Sequence, residues 1–384
     1  MRLFHNRVWR GALIAGSLMA LAGCSLFSHD DDRYKPAELT EYAPGLAVHA
    51  VWQVSVGSGS DMGFVPAVVG DSAYAATPNG SVVKVDLASG RVVWRASAQK
   101  DLSAGVGSDG TVTAVATDSG DVIAFDDTGK IKWKAKATSD VHIPPVVGDG
   151  IVAVRSGDYR IQAFDINTGE LLWSVQRPGP PLALRGTSQM LVTERMVVAG
   201  MPGGKVMAIS ANNGVVQWEG SVATPKGVTD LERLSDVVGR PIAAGPLLCA
   251  VTYQGRIACF NVGDGGRLAW AKDFSSSVGM ALDSNAVYAP DAHDVVNAFA
   301  LDTGAPLWKQ TALSNRSLSA PATVGNAVAL GDFEGYVHFL SAADGHLLAR
   351  LSVGGGAVLS APQSTPQGVL VQTGGGNLVL IGVN

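Results

Sequence analysis

Seven tryptophans, Trp52, Trp94, Trp133, Trp173, Trp218, Trp270 and Trp308, recur along the chain at intervals of 42, 39, 40, 45, 52 and 38 residues. Six of them stand four residues after a glycine: Gly90, Gly129, Gly169, Gly214, Gly266 and Gly304. The surrounding text repeats too, so that Gly80 to Trp94 is matched by Tyr159 to Trp173 and by Val295 to Trp308. A further copy from Gly335 has Ala349 where the tryptophan would fall, and a last one from Gly376 ends after a single strand. A period near forty residues means one supersecondary unit that buries its apolar face only against its neighbours. The chain therefore folds as one repeat array, although its length alone would suggest two or three domains.

Each unit holds three or four short apolar strands separated by turns. Asn79-Gly80, Asp109-Gly110, Asp149-Gly150, Asn213-Gly214 and Asp344-Gly345 are hairpin signals, because these residues accept the positive φ of tight turns. Glycine is correspondingly frequent, 47 of 384 residues. Four antiparallel strands every forty residues describe a propeller blade. Inner-strand segments near Val68, Val112, Val147, Leu191, Leu247, Ala281, Val324 and Gln363 give eight blades. The expectation is an all-β, eight-bladed β-propeller over 46–384, its ring closed by pairing Val48 to Val56 with Asn377 to Val383 so that no edge is left open. The seven tryptophans then lie between adjacent blades as structural residues.

The N-terminus reads separately. Arg2, Arg7 and Arg10 precede an apolar run from Gly11 to Ala22 that ends in Leu21-Ala22-Gly23-Cys24. This resembles the bacterial lipobox, which implies removal of 1–23 as a signal peptide and acylation of Cys24, palmitate included. Ser25 after the cysteine carries no inner-membrane retention signal, so the expected location is the periplasmic face of the outer membrane. Residues 24–45, with Asp30, Asp31 and Asp32, read as a flexible tether. Loss of the three arginines takes the formal charge from −5 to −8. With no basic block in the body, nucleic acid is not an expected partner.

The Asp-x-x-Thr-Gly-x-x-x-Trp unit, as at Asp165 to Trp173, resembles the repeat of quinoprotein dehydrogenases and their non-enzymatic relatives. It does not resemble WD40, because no aspartate follows any of these tryptophans. Lipobox, tether and repeats together are similar to the propeller lipoproteins of the outer-membrane β-barrel assembly machinery. That resemblance implies a non-catalytic scaffold without cofactor, which binds periplasmic domains of the barrel-forming subunit BamA and aids insertion of outer-membrane proteins. A quinone-dependent dehydrogenase-like propeller and a glycan- or peptidoglycan-binding propeller are the alternatives. Quinoprotein dehydrogenases are typically longer and carry adjacent cysteines, which this chain lacks.

Catalytic patterns are scarce. Gly105, Gly107 and Gly110 spell G-x-G-x-x-G, but a strand follows in place of a phosphate-facing helix. The seven histidines show no metal-ligand spacing, and there is no G-x-S-x-G. Asp291, His293 and Asp294 cluster in an apparent hairpin turn, with turn chemistry favoured over a metal or acid–base role. Cys249 and Cys259 flank the turn at Gln254 and would face each other across a hairpin, either as a disulfide or as two buried thiols.

Departures from the period carry more information. The two longest intervals, 45 and 52 residues, lengthen consecutive connections between blades, which emerge on the same face of a propeller. Repeat proteins place binding function on such insertions. The segments Leu182-Ala-Leu184-Arg185-Gly and Arg233-Leu-Ser-Asp236-Val resemble the two family segments that contact BamA, which implies Leu182, Leu184, Arg185 and Asp236 as partner-binding residues. Asp236 would either orient Arg185 or meet a cation on the partner. Val238 stands where the family often has a second acid, which leaves Glu232 as the candidate for that role.

Overall fold

The computed structural model describes residues 34–384 apart from Met62, Gly186, Thr187 and Glu194. The signal segment 1–23, Cys24 and the first part of the tether lie outside the described residues. Between Ala37 and Asn384 the chain forms eight four-stranded antiparallel sheets. Blades 1 to 7 span 67–97, 107–136, 146–176, 190–221, 237–274, 281–310 and 322–352. Blade 8 takes three strands from the C-terminus and Val48–Ser55 as its outer strand. The closing register runs from Val48 opposite Val383 to Ser55 opposite Asn377.

Two inner strands differ from expectation. Val112 and Leu247 adjoin or begin the second strands of blades 2 and 5, Thr113–Ala116 and Leu247–Thr252; the inner strands are Gly107–Ser108 and Val237–Ala244. One is too short and small to carry an apolar signal, and the other is interrupted at Gly239–Pro241. The G-x-G-x-x-G run is the hairpin between Gly107–Ser108 and Thr113–Ala116.

The repeated tryptophan and glycine form one joint. Each tryptophan lies on the outer strand of its blade and packs onto the turn glycine of the next: Trp52 on Gly90, Trp133 on Gly169, Trp308 on Gly345. At Gly169 the backbone has φ +75°, and an added Cβ would lie 2.7 Å from the Trp133 ring. Glycine is thus required both by conformation and by close approach. Trp52, Trp133, Trp173, Trp270 and Trp308 also donate Nε1–H to the carbonyl three residues before that glycine, at 2.6–3.0 Å. Trp94 is buried with Nε1 unpaired. Its receiving turn is one residue shorter, Gly129 closing on Asp126 where Gly90 and Gly169 close four residues back. Across the strand, Trp133, Trp173, Trp218, Trp270 and Trp308 stand opposite Ala124, Ala163, Ala208, Cys259 and Ala298. Ala349 of blade 7 instead faces Phe339, so the volume lost with the tryptophan returns on the neighbouring strand.

Residues 37–45, expected as the end of the tether, instead run along blade 7, and the folded unit begins at Ala37. Ala37 N–H donates to Ser314 O at 2.9 Å and Gly45 N–H to Leu348 O at 2.8 Å. The buried Arg316 donates Nε–H and Nη2–H to Asp332 at 2.9 and 2.7 Å, and Nη1–H to Ala37 O at 2.9 Å. His338 Nε2 completes this buried cluster, 2.9 Å from Asp332.

Candidate functional site

The two lengthened connections join blades 3 to 4 (177–189) and 4 to 5 (222–236). The first is pinned at two places. Tyr159 packs beneath Gly179, where a Cβ would sit 2.0 Å from its ring, and its hydroxyl donates to Pro180 O at 3.2 Å. Five residues on, Leu184 N–H donates to Asp236 Oδ2 at 2.6 Å. Between these pins Leu182 is 37% exposed. Arg185 is exposed beyond them and makes no hydrogen bond or ion pair among the described residues.

Asp236 has a different position from the one its sequence context suggests. It is buried, 3% exposed, so it offers no surface to a partner. Its oxygens accept from Leu184 N–H and, at 2.9 Å, from Gly203 N–H, tying both connections to a turn of blade 4. The guanidinium near it is the buried Arg155, not Arg185. Burial pushes the Asp236 carboxyl above its ordinary value, countered by the two N–H groups and by Arg155. Burial likewise lowers Arg155 to about 10, while Arg155 Nη1–H donates to Gly200 O at 2.5 Å. Asp236 is thus a positioning residue that acts through the backbone of Leu184.

The leucines divide. Leu184 is half-buried against the blade 5 cluster that contains Val238, Val251 and Ile257, whereas Leu182 faces solvent. Val238 is buried opposite Val251, where a second carboxylate would be desolvated without a partner. Glu232 is a cap: its Oε2 accepts Val228 N–H and Thr229 N–H at 2.8 and 3.0 Å, and Glu232 N–H returns to Thr229 Oγ1 at 3.3 Å. This capping box is legible as Thr229-x-x-Glu232, a signal the sequence reading passed over. The box shapes the second connection around Val228 and Leu231, which are 95% and 70% exposed. Near Arg185 lies the Asp140 carboxylate. The Ser139 hydroxyl, donating at 2.6 Å, holds the Asp140 carboxyl below its ordinary value, with His142 and Arg185 adding to the effect. A cavity of about 270 Å³, lined by Tyr159, Arg177, Met201, Met207 and Glu219, opens at the base of the first connection.

The remaining candidates are structural in their contacts. Cys249 and Cys259 stand opposite each other in blade 5, fully buried, and are joined by a disulfide. Asp291 caps its own turn by accepting His293 N–H at 2.8 Å and Val295 N–H at 3.1 Å, and Asp294 accepts Ser317 and Leu318 N–H from the next connection. Among the described residues, no group of three His, Cys, Asp or Glu side chains is placed to hold a metal, and no helix is long and apolar enough to cross a membrane.

An eight-bladed ring with tryptophan docked on glycine at successive blade junctions defines a quinoprotein-like repeat propeller. A family model described as outer membrane protein assembly factor BamB matches residues 49–102, 78–310 and 292–384. The chain belongs to that family. A protein of this description from Bordetella pertussis is 66% identical over 379 residues, covering 99% of this chain and 98% of the relative. The crystal structure of BamB from Moraxella catarrhalis is superposable with TM-score 0.80 at 26% identity, covering 88% of this chain and all of that one. Quinohemoprotein alcohol dehydrogenase from Comamonas testosteroni shares the fold, with TM-score 0.67 at 16% identity over 88% of this chain and 76% of its own. The family is thus one of outer membrane protein assembly factors.

Proposed function

We propose that this chain is a lipid-anchored scaffold of the outer-membrane protein assembly complex, held at the periplasmic face through Cys24 and binding periplasmic domains of BamA. The observation that carries the reading is the clamped pair of connections. Asp236 and Tyr159 hold the first in place, Leu182 and Arg185 are exposed on it, and Val228 and Leu231 are exposed apolar side chains on the second. Preorganised apolar anchors next to an arginine are the composition of interaction hot spots. Docking there leaves the ring unchanged and holds the partner near the membrane, which supports insertion of outer-membrane proteins.

Co-purification from detergent-solubilised outer membranes tests this. Leu182→Ala should weaken BamA binding by about 1–3 kcal/mol, roughly 5- to 150-fold, with little change in melting temperature. Arg185→Glu should weaken it further, with a steeper salt dependence. Undiminished co-purification of BamA by Leu182→Ala, Arg185→Glu and the Val228→Ser, Leu231→Ser double variant would remove this face from the interface.

A further inference from the structure

Down the axis of the ring runs a channel of about 590 Å³ lined by all eight blades. Its walls are largely valine, alanine, proline, leucine and methionine, and the one ionised side chain among them is Arg240. Arg240 reaches the axis through a local irregularity. In the inner strand Val237–Ala244, Val238 pairs with Val251 and Ile242 with Cys249, so Gly239, Arg240 and Pro241 together stand against Ala250. Gly239 adopts φ +66° and approaches Gly279 so closely that a Cβ would meet its Cα at 2.7 Å. Bulges of this kind re-aim a side chain.

Among the described residues no carboxylate answers that charge. Arg240 makes no hydrogen bond or ion pair among them either; its side chain is exposed to the solvent of the channel, while the protein crowded around it without a counter-charge pushes its guanidinium below the ordinary value. Gln189 is its neighbour on the wall, since Gln189 N–H donates to Gly239 O at 2.9 Å, and the Gln189 amide is also unpartnered among the described residues. Other polar groups of the lining are already satisfied. Ser364 Oγ donates to Thr323 O at 2.6 Å, Ser108 Oγ to Val112 O at 3.0 Å and Gln363 Nε2 to Ala361 O at 2.9 Å. A guanidinium has five donors and no acceptor, in a fork that matches a carboxylate. A cavity of this volume, with apolar side chains set among exposed polar backbone groups and one cation, has room and contacts for a small polar-headed molecule.

We propose that the axial channel binds a small organic carboxylate with an apolar body, its carboxylate held by Arg240 beside the Gln189 amide and its body against the valine, proline and methionine walls. This site is independent of the scaffold face. The test uses the mature full chain in detergent, with hexanoate as the probe and hexan-1-ol, hexylammonium and inorganic phosphate as controls. Equilibrium dialysis with radiolabelled hexanoate should show saturable binding, weakened at least about tenfold in Arg240→Met. Hexanoate at ten times its dissociation constant should raise the melting midpoint by about 2 °C, and neither the alcohol nor the amine should do so. Without ligand, Arg240→Met should melt within about 1 °C of the parent, because the exposed guanidinium makes no bond to the described residues. Absence of saturable hexanoate binding below about 20 mM, equal binding by Arg240→Met, or a lower melting midpoint for that variant would overturn the proposal, the last by marking the guanidinium as structural. Phosphate binding as tightly as hexanoate would also overturn it, since the apolar walls would then contribute nothing.

Discussion

Replacement of Asp236 by alanine tests the clamp directly. The carboxylate is buried and accepts the N–H groups of Leu184 and Gly203 at 2.6 and 2.9 Å. A buried donor left without its acceptor costs about 1–3 kcal/mol, so two orphaned donors set the scale at about 4 kcal/mol. The buried Arg155 also loses the charge that counters its own desolvation. At about 2.1 cal/mol/K per residue, a unit of this size has an unfolding entropy near 0.7 kcal/mol/K, and the melting midpoint should fall by about 6 °C. Asparagine keeps one acceptor and turns a donor toward the second N–H, so Asp236→Asn should lose roughly half as much. Hydrogen exchange monitored by mass spectrometry distinguishes a local clamp from general weakening. Peptides bearing Leu184 and Gly203 should exchange faster in Asp236→Ala, while the blade 7 strand Tyr336–Ser341 keeps its protection. A midpoint within about 1 °C of the parent, together with unchanged exchange at Leu184, would refute the assignment of Asp236 as the residue that positions the first connection.

Leu184→Ala should destabilise by about 2 kcal/mol, the lower end for a leucine truncation, because the side chain is half-buried against blade 5; thermal melts compared with Leu182→Ala, expected near the parent, check the division between the two leucines. Burial depresses the His338 pKa, outweighing the pull of Asp332, with Arg316 and Arg350 adding to the depression. A depressed folded value means the stabilisation is complete above the ordinary histidine range and lost as pH falls through the folded value. Burial alone would raise Asp332, but bonds from His338, Tyr336 N–H and Arg316 hold it below its ordinary value, so a second loss follows at lower pH. His338→Gln should flatten the first of these steps in melts taken from pH 7 to pH 5, and an unchanged slope would count against it. Cys24→Ser should leave the ring folded by circular dichroism yet release the protein from the outer-membrane fraction in high salt; retention without BamA would sink the lipid-anchor reading.

The ring was legible in the sequence because its determinants are local and recur. A turn glycine with positive φ, a tryptophan four residues later and an apolar strand on either side repeat in text as they repeat in space, and the strand left over at each terminus implies the closing pair Val48–Val383. The cross-strand partnership of Cys249 and Cys259 followed from hairpin symmetry alone, though not the bond. The second connection could have been read further, since Thr229 and Glu232 stand at capping-box spacing. What only the tertiary structure decided involves residues brought together from distant blades. Asp236 accepts from Leu184, 52 positions away, and its nearby guanidinium is Arg155, so neither of the two roles open to it in sequence describes it. Leu182 and Leu184 alternate identically in sequence, yet one faces water and the other the blade 5 core, because a bond to the second of them turns the segment inward. Arg316 ties Ala37 to blade 7 across 279 residues, and Arg240 enters the axis only because eight inner strands converge there. Short-range periodicity encodes the blade, but burial and charge pairing are properties of the closed ring, where segments far apart in the chain share one low-dielectric environment.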